Sequence, residues 1–575
     1  MSVASRRLIN AHTADCQPAI DKLANLKHPF FILVFFLLTG PIGLYAQVPI
    51  LDSGGDIMPE QAAYDVHFYE LDLNIDPEAK SIDGNVLIRA AVVHPLTYFV
   101  LDLDTLLGIE RVEEKIDGQW LERRLSRDEG KVWIDLEHTR QPEEALEMRV
   151  HYGGQPRVAP NPPWNGGFTW EQTSSGAHWI ATTCQTNGAD LWWPCKDHVS
   201  DEPDSVAIHI RVPKPLVVAT NGRLQSVDEA DEHRTYHWLV STPINIYNVA
   251  LNIAPYVVIK GEMESSVADA PYPVEFYVLP EDEAKGRELF PEIMEHLDFF
   301  ERFLGPYPFR ADKYGVAQTP HLGMEHQTII AYGANFSNGS MTGGKDWGFD
   351  ALHHHELAHE WWGNLVTNFD WRDMWLHEGF GSYMQALYIE ELSGMEAYRE
   401  YMGRARFFRN TLAVAPRASR SAAEIYRAPI YTKGAWILHT LRYVLGDEAF
   451  FQALRRMAYP DPALEKITDG SQTRFAATED FLSICESVSG RELDWFFDLY
   501  LRQPALPVLH SRIEGNEWQL SWETPDGLPF SMPIEIKMDG KTVKKDIPAE
   551  GLTLKIKKGD QPEVDPDGWI LMEVK

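Results

Sequence analysis

The hydrophobic period of this 575-residue chain changes twice, and the two changes limit the folds open to it. Between about residues 62 and 260, apolar and polar residues alternate in short runs, among them Tyr64-Asp-Val-His-Phe-Tyr-Glu-Leu-Asp-Leu, Asn85-Val-Leu-Ile-Arg, Val132-Trp-Ile-Asp-Leu, Leu146-Glu-Met-Arg-Val and Val206-Ala-Ile-His-Ile. A period of two gives each run one apolar and one polar face, the signature of half-buried strands. Asp83-Gly84 reads as a hairpin turn, and the Gly-, Pro- and Asn-rich stretch 153–168 as a long loop. After about residue 263 the period lengthens. Ile293, Leu297, Phe300 and Leu304 fall on one helical face, which Gly305-Pro306 ends, and helical segments continue to about residue 500. Alternation then returns, with turns at Glu514-Gly515-Asn516 and Asp539-Gly540. The expectation is an α+β multidomain chain: an N-terminal β domain over 47–262, a mainly helical domain over 263–503 and a small C-terminal β-sandwich over 504–575.

Residues 1–46 differ from the rest. An apolar run from Phe30 to Leu38 is too short to span a bilayer, which takes roughly 20 apolar residues. It resembles the apolar core of a secretory signal, with cleavage expected after Ala46 and an exported, periplasmic or extracellular protein as the result. A retained membrane anchor is the alternative, and membrane contact is expected only if this segment stays. Of the four cysteines, Cys184, Cys195 and Cys485 follow the signal; three make no disulfide framework, although Cys184 and Cys195 could pair. A formal net charge of −33 repels phosphate backbones, so nucleic acid is excluded as a partner.

The chemistry concentrates in His355-Glu356-Leu357-Ala358-His359. Residues four apart on a helix lie about 40° apart around its axis, so both imidazoles face one point and can grip a single ion. Glu356 lies about 100° away, beside the ion and not on it. A catalytic zinc site with nitrogen and carboxylate donors takes three protein ligands and keeps a fourth position for water. Glu378, in Trp375-Leu-His-Glu-Gly-Phe, supplies the third on a second helix expected over 376–393, ending at Gly394 and joined to the first by the loop 364–372. One Zn2+ per chain follows, with Glu356 as general base. His353 and His354 are expected on the helix surface.

With these residues in view, the chain resembles the gluzincin aminopeptidases, the family of aminopeptidase N and leukotriene hydrolase. His355-Glu-Leu-Ala-His-Glu-Trp-Trp-Gly-Asn and Trp375-Leu-His-Glu-Gly-Phe carry the likeness. So do Leu322-Gly-Met-Glu-His, Ile430-Tyr-Thr-Lys-Gly-Ala and Cys184-Gln-Thr-Asn-Gly-Ala-Asp-Leu-Trp-Trp-Pro-Cys-Lys-Asp. The resemblance implies a thermolysin-like catalytic domain and hydrolysis of the N-terminal bond of peptides with a free N-terminus. It implies that Glu325 binds the α-amine with help from Gln185. The backbone of Gly323 and Met324 would pair with the substrate, and Tyr431, ahead of Tyr426, would donate to the oxyanion. Two positions depart from the family pattern: His326 and His377 stand where Asn is usual, and a charged imidazole at either would oppose an ammonium. The stretch after Pro504 stands where many members carry a large helical domain, so a more open cleft is expected. The rival readings are a zinc endopeptidase with the same metal site, a non-catalytic peptide-binding protein and, on fold analogy alone, an epoxide hydrolase.

Overall fold

Alternation along Tyr64–Asp76 builds the centre of the N-terminal sheet in this computed structural model, which describes residues 52–557 and 559–575. The apolar run 30–38 and the cleavage position at Ala46 lie outside the described residues. Tyr64–Asp76 pairs antiparallel with Ser81–Val92 and parallel with Ser205–Pro213, inside an eight-stranded sheet. Tyr64 and Val66 face the core, and after an irregularity between Val66 and Phe68 the inward set becomes Tyr69, Leu71, Leu73 and Ile75. One extra residue in a strand reverses which side chains point inward, which is how the alternation changes phase without losing the core.

The hairpin turn expected at Asp83-Gly84 is a correction. The chain reverses at residues 77–80, and Asp83-Gly84 sits inside the strand Ser81–Val92, with Gly84 opposite Leu73. A Cβ on Gly84, at φ 153°, would lie 2.0 Å from the carbonyl oxygen of Asp72. The glycine serves close cross-strand approach and not a turn. Four-stranded and three-stranded sheets complete this β-rich region, and residues 155–166 form the expected loop. Cys184 and Cys195 are both buried and unpaired, and behave as small apolar residues.

The helical region opens on a five-stranded mixed sheet whose edge strand, Gly323–Met324, pairs antiparallel with Ile330–Tyr332. Helix α1 (Glu283–Leu304) buries Ile293, Leu297, Phe300 and Leu304, and Gly305, at φ 105°, ends it as expected. Helix α2 (Ala351–Ala358) starts at Asp350, whose side chain accepts the backbone N–H of His353 at 3.0 Å. All eight of its residues are buried, so the surface placement expected for His353 and His354 is wrong. A helix enclosed by the sheet, α1 and α3 has no solvent face. His353 lies 2.8 Å from His296 and 2.9 Å from the Tyr314 hydroxyl, and His354 stacks on Tyr388. Helix α3 (Trp375–Ala405) breaks at Gly394, the predicted end, and then resumes.

Helix α4 (Thr432–Leu445) crosses α3 where Gly379 and Gly434 meet: a Cβ on Gly434 would lie 2.8 Å from the Gly379 Cα. Strands from Val508 to Val574 form a four-stranded and a three-stranded sheet, with turns at Glu514-Gly515-Asn516 and Asp539-Gly540 as expected. Trp569 stacks on His439 of α4 and ties this β region to the helices. Among the described residues no helix is long and apolar enough to cross a membrane. Gly434→Val is expected to overpack the α3–α4 crossing and cost about 1–3 kcal/mol, read as a lower thermal midpoint. Gly403→Ala, whose added methyl meets open space on a regular helix, is expected to raise stability by about 0.4–1 kcal/mol.

Candidate metal centre

Two local features aim the three candidate ligands at one point. The last turn of α2 projects His355, with His359 at its C-cap, while the start of α3 projects Glu378. The start of α3 is pinned by the Trp375 indole, which donates to the Thr478 hydroxyl at 2.8 Å, and by Asp373, which accepts from the same hydroxyl at 2.6 Å. Between the helices, Val366–Asn368 pairs with Arg474–Ala476, so the expected loop 364–372 is anchored by a short strand.

The Nε2 atoms of His355 and His359 lie 3.2 Å apart, and Oε2 of Glu378 is 3.4 Å from the first and 3.6 Å from the second. Zinc held tetrahedrally at 2.0–2.1 Å separates its donors by about 3.3 Å. The protonation pattern agrees. His359 Nδ1 donates to the Trp362 carbonyl at 2.9 Å, which leaves its Nε2 as a lone pair. Glu378 Oε2 is buried with no hydrogen-bond partner, while Oε1 accepts from Tyr431 at 2.8 Å and Tyr426 at 3.1 Å. An orphaned carboxylate oxygen facing two imidazole nitrogens is a hole shaped for a cation, and the donor set fits one Zn2+. Glu325, Glu356 and His359 also cluster, but Glu325 Oε1 is already taken by two protein donors.

Every site residue expected from the sequence lines one cavity: Gln185, Gly323, Met324, Glu325, His355, Glu356, His359, Glu378 and Tyr431, together with Tyr426. Gly323 is required there, because a Cβ would lie 2.3 Å from Glu356 Oε1; its absence lets the edge strand run against that carboxylate. Burial raises the Glu356 carboxyl well above its ordinary range, and the Glu325 and Glu378 carboxylates add to the rise. Among the described residues, no Lys or Arg lines the cavity. Burial also raises the Glu325 and Glu378 carboxyls, so the empty cavity favours their neutral forms and a bound cation would favour the ionised ones.

Tyr431 and Tyr426 both reach Glu378, Tyr431 at the shorter distance and stacked over His355. The two departures from the family pattern, His326 and His377, are fully buried. Burial pushes His326 down to about 3 and holds His377 well below its ordinary value, so both rings stay neutral. His377 Nε2 accepts the Asn368 N–H at 2.9 Å. Sequence reasoning missed Trp164, Thr186 and Met341, which also line the cavity, and Tyr247, whose hydroxyl donates to Glu325 Oε1 at 3.1 Å. Tyr247 sits on an isolated turn, Ile246–Asn248, where no periodicity marks it.

A β-rich region, a helical region and a buried two-histidine, one-glutamate centre define the zinc metallopeptidase class, and comparison with known proteins narrows it. The Peptidase family M1 domain matches residues 291–500 and the Peptidase M1 N-terminal domain matches residues 65–247, between them more than half of the chain. The chain belongs to peptidase family M1. Aminopeptidase M1-C of Oryza sativa subsp. japonica is 22% identical over 478 residues, 79% of this chain and 51% of the relative. Aminopeptidase N of Lactococcus lactis subsp. lactis is 30% identical over 185 residues, 29% of this chain and 20% of the relative. The chain thus spans about half the length of the rice relative. The M1 zinc metallopeptidase from Deinococcus radiodurans shares the fold with a TM-score of 0.61 at 24% identity, over 77% of this chain and 94% of that one. Glu378→Ala is expected to weaken zinc binding by more than the roughly 10–100-fold that loss of an outer partner costs. Metal analysis after dialysis should then find well under one zinc per chain.

Proposed function

We propose that this chain is a zinc-dependent aminopeptidase that hydrolyses the N-terminal peptide bond of peptides with a free N-terminus. The observation that carries the reading is the cavity's lining: three buried carboxyl groups, two imidazoles and, among the described residues, no Lys or Arg. A dication at His355, His359 and Glu378 and a substrate ammonium at Glu325 and Gln185 would together supply the missing positive charge. The relatives named aminopeptidase support the same reading, as does a related metallopeptidase variant solved with a Tyr-Ser-Ala substrate.

When bound, zinc polarises the scissile carbonyl and brings the pKa of water at its open position to about 7. Glu356 accepts the proton of the attacking water and delivers it to the departing amine. Gly323 and Met324, on the edge strand of the five-stranded sheet, offer backbone groups to an extended substrate. Tyr431 donates to the oxygen that becomes negative as the carbonyl is attacked. Glu325 and Gln185 fix where the substrate's chain must begin, one residue from the metal. Residues 47–262, 263–503 and 504–575 are read as the three domains around this site, and residues 1–46 as an export signal.

Hydrolysis of an aminoacyl-coumarin panel, with and without chelator, tests the reading. Glu356→Gln should keep one zinc per chain and lose about 10²–10⁴-fold in kcat, and Tyr431→Phe about 10²–10³-fold. N-acetylated peptides should resist cleavage; if they are cut as readily as free ones, the protein is an endopeptidase. A zinc-loaded chain that cuts neither is a binding protein.

A further inference from the structure

We propose that Tyr247 is a positioning residue for the amine subsite: its hydroxyl and the Gln185 amide occupy one oxygen of Glu325 and thereby turn the other toward the incoming ammonium. The inference rests on the aminopeptidase reading and deepens it. Both donors meet the same atom, Glu325 Oε1, Tyr247 at 3.1 Å and Gln185 through its Nε2. A carboxylate offers about four acceptor positions. With those on Oε1 engaged, Oε2 and the Gln185 amide oxygen are left to receive the substrate's N–H groups.

The three side chains are nearly sealed from water, with Tyr247 2%, Glu325 3% and Gln185 5% exposed. Two donors to Glu325 come from the protein itself. The turn that carries Tyr247 is tied down on both sides. Asn245 caps it and donates to the Val199 carbonyl at 2.9 Å. Asn248 donates to Asn364 at 2.7 Å, and Asn364 donates to the backbone carbonyl of Glu325 at 3.1 Å. Tyr247 and the backbone of the residue it orients are thus parts of one network.

The ring is buttressed as well. Tyr247 packs against Trp371 at 5.9 Å between centroids, and Gly54 closes over Trp371 so tightly that a Cβ there would lie 2.0 Å from the indole. Residues 52–55 hold that lid in place: Ser53 accepts from the Ala422 N–H at 2.9 Å, and the Gly55 carbonyl is 3.0 Å from His198 Nε2. Glu325 follows the edge strand of the helical region, yet both donors that orient it, Gln185 and Tyr247, come from the N-terminal β-rich region.

The test compares two zinc-binding inhibitors, leucine hydroxamate and its counterpart lacking the α-amine, on wild type and Tyr247→Phe. The variant keeps the ring and its packing and removes one oxygen. Leucine hydroxamate should bind about tenfold more weakly to the variant, the scale of one lost hydrogen bond to a charged group. The desamino compound should bind unchanged, zinc should remain at one per chain, and KM for leucyl-coumarin should rise about tenfold with kcat nearly constant. In a Glu325→Ala background the same substitution should no longer alter the ratio of the two affinities. Equal weakening of both inhibitors, no weakening of either, or an undiminished effect without Glu325 overturns the proposal. A wild-type enzyme that cuts no aminoacyl reporter overturns instead the aminopeptidase reading on which it stands.

Discussion

The arrangement turns on three carboxyl groups held out of water with no side-chain cation beside them among the described residues. Glu325, Glu356 and Glu378 share one cavity from which Lys and Arg are excluded. A carboxyl removed from water favours its neutral form unless it is paired, and surrounding structure holds each of the three in place. Each carboxylate is restrained differently. Glu378 is pinned at the start of α3 and accepts from two tyrosines; Glu325 accepts from a tyrosine and an amide; Glu356 stands against the glycine backbone of an edge strand. The result is a pocket whose empty acceptors match cations: a divalent metal on one side and, on the aminopeptidase reading, an ammonium on the other.

Such crowding needs places where backbones approach more closely than side chains permit, and the glycines mark them. Gly379 and Gly434 let α3 and α4 touch, which carries Tyr431, three residues before Gly434, onto Glu378, the residue before Gly379. Gly323 lets the sheet edge meet Glu356, and Gly54 lets the first described residues cover Trp371. None of these is explained by a turn. They are contacts between elements far apart in the chain, so only the folded structure reveals why they are glycine.

That division explains what the sequence made legible. Local periodicity and stop signals fixed α1 with its end at Gly305, the break at Gly394 and the turns near Gly515 and Gly540. Helical spacing brought His355 and His359 together, and the text around Glu378 supplied the third donor. What failed was context. Asp83-Gly84 has turn chemistry, but its setting is a cross-strand contact. His353 and His354 have surface chemistry, but they lie on a helix enclosed on every side. Cys184 and Cys195 are both buried as free thiols and form no disulfide. Tyr247 was invisible because its partner, Glu325, is 78 positions away and its own turn has no period.

The same context decides what His326 and His377 do. An imidazole beside an ammonium site invites the thought that protonation would repel substrate, and the sequence offers no way to dismiss it. Burial does. Moving a histidine from water into a dry interior disfavours its charged form, and burial lowers both rings from their ordinary value. The positive charge the cavity needs therefore cannot come from these rings, any more than from Lys or Arg. On the aminopeptidase reading it is carried in by metal and by the substrate's ammonium, which ties recognition of a free amine to the cavity's own electrostatics.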